Sequence, residues 1–152
     1  MDRYKPITIV FTNINTSDHL TKLHMSLYLL LNSDLNKSDR LKIYINTTDN
    51  VLIDINSHIE LPLNINEFTD MINYLLIKLK IKDNKGNILM LAVKNKLNDY
   101  LPPNTYKMKM DLRGKKLENL NPENTYTIYI GESGEDCDSV RVSDYDLNLV
   151  GK

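Results

Sequence analysis

The chain of 152 residues predicts an all-β fold: an antiparallel Greek-key β-sandwich of about eight or nine short strands, with at most one short helix. Three observations carry that reading. Apolar residues recur with a period of two in most of the apolar segments. Turn-forming residues interrupt the chain at short intervals. The regular strand-helix alternation that builds parallel sheets is absent.

Taken in order, Ile7, Ile9 and Phe11 alternate with Thr8, Val10 and Thr12, which predicts a strand with one face more buried than the other. Residues 18–31 fit two patterns. Ser17 could cap a helix with Leu20, Leu23, Leu27, Leu30 and Leu31 on one stripe, yet Leu23, Met25, Leu27, Leu29 and Leu31 also alternate without a break. Strand-rich surroundings favour the strand. Leu41, Ile43 and Ile45, then Val51, Ile53 and Ile55, predict two more strands. Residues 66–74 allow a turn of helix. A long hairpin is expected over Leu75–Val93, with Leu75, Ile77, Leu79 and Ile81 alternating before a loop at Asp83–Asn87 and a doubly apolar return strand from Ile88. The last strands are expected at Tyr106–Leu112, Tyr126–Ile130 and around Val140 and Val142.

The length suits one domain over residues 1–152, and 41% hydrophobic with 26% charged residues is a globular composition. No apolar run approaches the ~20 residues of a bilayer span, and no signal peptide is evident, so an intracellular protein is expected. The excess of Asn, Lys, Ile and Tyr over Ala, Arg and Gly suits an AT-rich genome, such as that of a large insect virus, a protist or a bacterium. That bias weakens amino-acid usage as a guide to function.

The segment 120–130, Leu-Asn-Pro-Glu-Asn-Thr-Tyr-Thr-Ile-Tyr-Ile, places Leu120, Pro122 and Tyr126 just before strict alternation. A leucine plug, a rigid proline and a tyrosine whose hydroxyl reaches back to main chain can fix a crossing between two sheets. The stretch resembles the corner before the penultimate strand of fibronectin type III domains. That resemblance implies an immunoglobulin-like sandwich in which loops at one end recognise partners. Glu123-Asn124 stands where the family has a glycine-containing turn, and the chain has no Trp and one Cys, so a tryptophan packed on a disulfide is excluded.

Charge is segregated: residues 1–77 carry a net −3, residues 78–116 +8 and residues 117–152 −6. If the corner is real, the acidic loop after Ile130 is a recognition loop, and Glu132, Glu135, Asp136 and Asp138 are the candidate protein-binding residues. The same carboxylates could offer hard oxygens to calcium. The alternative surface is a lysine face of Lys78, Lys80, Lys82, Lys107 and Lys109 for nucleic acid or another polyanion; strand-edge lysines that merely deter pairing are the plainer explanation. Cys137 lies among carboxylates that disfavour its thiolate, and His19, His24 and His58 show no metal-ligand spacing. With no phosphate-binding glycine loop, nucleophile elbow or paired-histidine motif, the expectation is a non-enzymatic interaction or structural module without a cofactor. Its oligomeric state is left open.

Overall fold

The computed structural model describes residues 7–18, 20–94, 97–116, 124–131 and 138–141. Their order is β1 (Ile7–Ile14), α1 (Thr21–Leu31), α2 (Asp34–Lys37), β2 (Leu41–Thr47), β3 (Val51–Ile55), α3 (Ile65–Lys78), β4 (Lys80–Lys82), β5 (Ile88–Lys94), α4 (Leu97–Tyr100), β6 (Tyr106–Lys116), β7 (Tyr126–Ile130) and β8 (Asp138–Arg141). This is a mixed α/β fold and not an all-β sandwich. The strands form one eight-stranded sheet in the order β4-β5-β3-β2-β1-β7-β6-β8. The β1–β2, β1–β7, β6–β7 and β6–β8 pairs are parallel, while β2–β3, β3–β5 and β4–β5 are antiparallel. No described helix is long and apolar enough to cross a membrane.

Parallel neighbours need a crossover connection, and between β1 and β2 that crossover is α1 with α2. Residues expected to be a strand are therefore a helix here. The helix buries Leu23, Leu27 and Leu30, with Leu20 before it. It leaves Met25 and Leu29, which the strand register would have placed inside, 60% and 53% exposed. Three buried leucines, at about 1.5–3 kcal/mol each, outweigh the lack of a side-chain cap at Leu20.

The expected strand from Leu75 also begins as helix. Asn64 caps α3, its Oδ1 accepting from the N–H groups of Asn66 at 2.7 Å and Glu67 at 3.3 Å. Phe68, Ile72 and Leu75 then recur at helical spacing and are fully buried, whereas Ile77 is 76% exposed. Leu79 ends the helix in the left-handed region (φ 70), its N–H bonded to the Leu75 carbonyl at 2.7 Å. The hairpin is thus shorter than expected: β4 pairs with β5 around the Asp83–Asn87 loop.

Helices α1, α2 and α3 cover one face of the sheet. There Ile7, Ile9, Phe11, Ile43, Ile45, Ile53, Met90 and Ile128 meet Leu23, Leu27, Leu35, Phe68, Ile72 and Leu75. The opposite face carries a smaller cluster of Val10, Tyr44, Leu52, Leu101 and Tyr129, joined by Val93 and Leu97 of α4. With both faces covered, the alternating threonines of β1 and β7 are inside: Thr8 and Thr127 are as buried as the isoleucines beside them.

The crossing proposed for Tyr126 does not exist. Strand β7 lies within the sheet, paired in parallel with β1 and β6, and the described residues hold no second sheet for the chain to cross to. The Tyr126 ring stacks on Tyr106 of the adjacent strand at 5.6 Å between centroids, and its hydroxyl accepts from Asn124 Nδ2 at 3.5 Å. Leu120 and Pro122 lie outside the described residues.

Candidate active site at the carboxyl edge of the parallel strands

In an open sheet with parallel strands, ligands bind beyond the carboxyl ends of the strands, where neighbouring connections depart in opposite directions. That point falls between β1 and β7. The chain leaves β1 toward β2 on one side, and leaves β7 toward β8 on the other. The two carboxyl ends, Thr12-Asn13 and Ile130-Gly131, lie side by side, since Phe11 pairs with Ile130.

Local chemistry shapes this edge. Thr12 Oγ1 donates to the Ile130 carbonyl at 3.2 Å, tying the two strand ends together. Gly131 turns the chain at φ +105, and a β-carbon there would sit 2.7 Å from the Thr12 carbonyl oxygen and 3.1 Å from its Oγ1. Only glycine allows both that dihedral and that approach. Across β1, Asn13 adopts φ 58 at an irregularity in the pairing with β2. Beyond it Asn15 closes a turn, its Oδ1 accepting from the Ser17 N–H at 3.0 Å and its Nδ2 donating to Asp18 at 3.1 Å. At the end of β2, Thr47 Oγ1 accepts from the Val51 N–H at 3.1 Å. The edge is therefore built from main chain, hydroxyls and amides.

The two shifted titrations lie elsewhere. Burial first, then the Asp54 carboxylate and Tyr100, push Tyr44 up to about 12. The hydrogen bonds of Asn87 hold Asp83 below the usual carboxylate range.

Of the residues expected to bind protein, Glu132, Glu135 and Asp136 lie outside the described residues, and Asp138 begins β8. Lys80 and Lys109 point to the same side of the sheet, at the two ends of one row through Leu91, Asp54, Tyr44, Val10 and Tyr129, but the five lysines are widely spread. Lys78 ends α3 and Lys80 and Lys82 form the edge strand β4, whereas Lys107 and Lys109 lie on β6, six strand steps or about 29 Å across the sheet. His24 is buried with Nε2 at 2.6 Å from the Pro62 carbonyl and its ring stacked on Phe68. His58 is exposed, 3.6 Å from Asp39, and His19 and Cys137 lie outside the described residues. Sequence reasoning missed Thr12, Asn13 and Gly131. The available signal is a glycine directly after the apolar run Ile128-Tyr129-Ile130, which in sequence alone looks like the start of an acidic loop.

A central group of parallel strands, helices on the sheet and a glycine turn at the switch point define an open-sheet α/β protein. Residues 22–150 match the model of the EMG1/NEP1 methyltransferase family, so the chain belongs to that family. Among its relatives, the fission yeast Schizosaccharomyces pombe protein "Ribosomal RNA small subunit methyltransferase mra1" is 36% identical over 141 residues, covering 82% of this chain and 39% of that protein. The NEP1 protein of Candida albicans is 28% identical over 141 residues, covering 82% of this chain and 53% of its own length. The chain thus spans about half or less of these relatives. The crystal structure of Archaeoglobus fulgidus Nep1 bound to S-adenosylhomocysteine has the same fold, with a TM-score of 0.66 at 15% identity over 97% of this chain and 94% of that one. These findings overturn the immunoglobulin-like reading and the expectation of a non-enzymatic module, and with them the thought of a viral sandwich protein.

Proposed function

We propose that this chain is an S-adenosylmethionine-dependent methyltransferase acting on small-subunit ribosomal RNA, with its cofactor at the carboxyl edge of β1 and β7. The observation that carries the reading is the Gly131 turn seated on Thr12 at the switch point of the parallel strands. Family membership and the names of the relatives supply the reaction and the substrate. S-adenosylmethionine supplies an electrophilic methyl group when bound. The described residues suit it in one respect: Gly131 and Thr12 bring main chain close together with no side chain intruding, which leaves backbone groups to receive a nucleoside and amino-acid moiety. Thr12 fixes the spacing of the two strand ends, and the Asn15 turn shapes the opposite wall.

Calorimetric titration with S-adenosylhomocysteine tests the site. The chain is expected to bind it, and Gly131→Val is expected to lower affinity at least about tenfold while the far-ultraviolet circular dichroism is retained. Transfer of a labelled methyl group from S-adenosylmethionine to small-subunit RNA tests the activity. Absence of S-adenosylhomocysteine binding by the parent chain, or unchanged binding by Gly131→Val, overturns the placement.

A further inference from the structure

We propose that the free edge of the sheet at β4, with the open face beside it, is a docking track for the phosphate backbone of the RNA substrate. This rests on the methyltransferase reading above and places RNA away from the cofactor edge. On the face turned from α1–α3, α4 and Leu101 cover β1, the carboxyl ends of β2 and β5, and β7. The half over the amino ends of β2 and β5 and the carboxyl end of β3 is uncovered and forms a cavity of about 370 Å3, bordered by Lys42, Asp54, Asn56, Ile88 and Leu91. Lys80 pairs with Leu91 on this face, because Ile81 turns to the helix side, and Lys82 and Lys85 continue along the edge to the hairpin tip. All three lysines are exposed.

Their charge is not consumed among the described residues. No carboxylate of the described residues lies within salt-bridge distance of Lys80, Lys82 or Lys85. The nearest acid in sequence, Asp83, spends its oxygens on the loop, accepting from the N–H groups of Lys85 at 2.8 Å and Asn87 at 2.9 Å and from Asn87 Nδ2 at 3.0 Å. Asp54 is engaged by Lys42, which also lies over the Tyr44 ring at 5.0 Å. Lys80 and Lys82, alternate residues of a strand, stand about 7 Å apart, and with Lys85 in the loop they line an open trough of mixed polar and apolar residues with cations. Such an edge attracts a regularly spaced polyanion, with most of the binding free energy arising from released counterions. Lys80 is level with Val10 of β1, four strand steps or about 19 Å across the sheet and two residues short of Thr12, so a strand of several nucleotides leaving the Lys80 end of the track reaches the cofactor edge. RNA is favoured over an acidic protein because the family's named substrate is RNA.

The test compares two triple variants of the whole chain by fluorescence anisotropy with labelled oligouridylate over a salt series. K80Q/K82Q/K85Q is expected to weaken binding at low salt and to flatten the slope of log affinity against log salt by about 2, from three contacts at ~0.7 each. S-adenosylhomocysteine binding and the melting temperature are expected to stay unchanged. The control K22Q/K37Q/K94Q removes the same charge from α1, α2 and the end of β5, and is expected to leave the slope within about 0.5 of the parent. Equal losses in both variants reduce the effect to net charge and overturn the track. Unchanged binding in the first variant overturns it while leaving the methyltransferase reading intact. A parent chain that binds S-adenosylhomocysteine but no RNA overturns the track together with the RNA substrate. Displacement of RNA by poly-glutamate at equal charge removes RNA as the preferred partner.

Discussion

The two halves of the sheet solve different problems. The parallel half, β2-β1-β7-β6, is sealed by helices on one face and by α4 and Leu101 on much of the other, so β2, β1 and β7 are nearly continuous runs of buried residues. The antiparallel half, β3-β5-β4, has the same helical cover on one face but lies partly open on the other and ends at a three-residue edge. A sealed centre makes the strand ends rigid and adjacent, which suits a small ligand; an open margin offers area and charge, which suits a long polymer.

The largest test of this contrast is core truncation. Ile128→Ala, at a fully buried position of β7, is expected to cost about 2–5 kcal/mol of unfolding free energy, and Leu91→Ala, half-buried on the open face, about 1 kcal/mol or less, both read from urea denaturation. Equal costs would erase the distinction between the halves. Next in size are the glycines. Gly131→Ala forces a β-carbon against the Thr12 carbonyl and is expected to cost about 2–3 kcal/mol; Gly86→Ala at the hairpin tip has the same sign of φ but open space around it, and is expected to cost about 1 kcal/mol.

The ends of α3, which leads from the centre to the margin, give a smaller and oppositely signed pair. Asn64→Ala removes the cap and is expected to destabilise by about 1 kcal/mol. Leu79→Gly relieves a left-handed leucine whose side chain is mostly exposed, and is expected to stabilise by about 0.5–1 kcal/mol, raising the melting temperature.

The last test concerns pH. The Tyr44 phenol is held above its ordinary value, up to about 12, so the folded state keeps a proton that the unfolded chain releases near pH 10. Its contribution to stability is complete below about pH 10 and is lost as pH rises toward 12. Tyr44→Phe is expected to flatten that part of the stability profile; an unaltered profile would mean that burial does not hold the phenol neutral.

Most strands were legible in the sequence because alternation is a local signal: Ile7–Phe11, Leu41–Ile45, Val51–Ile55 and Tyr126–Ile130 all lie within strands. Their pairing was not legible. Thr8 and Thr127 read as outward residues, yet the parallel centre buries them, and nothing local distinguishes a threonine facing solvent from one facing a second layer. The helices were obscured by excess apolar residues. Leu23, Leu27 and Leu31 satisfy both periods, and the choice is settled by the need to cross between parallel strands, which is a long-range constraint. The site had one local trace, the glycine after β7, whose meaning depends on Thr12 lying beside it.

Strand β1 is held on one side by a segment made soon after it and on the other by Ile130, 118 residues later in the chain. Such a distant closure is slow to form, and during translation the Ile7–Phe11 edge is complete on the β2 side long before its other neighbour has been synthesised. The newborn polypeptide therefore carries an unzipped apolar seam beside β1 until β7 emerges, and that strand both shuts the seam and brings in the glycine that turns over Thr12.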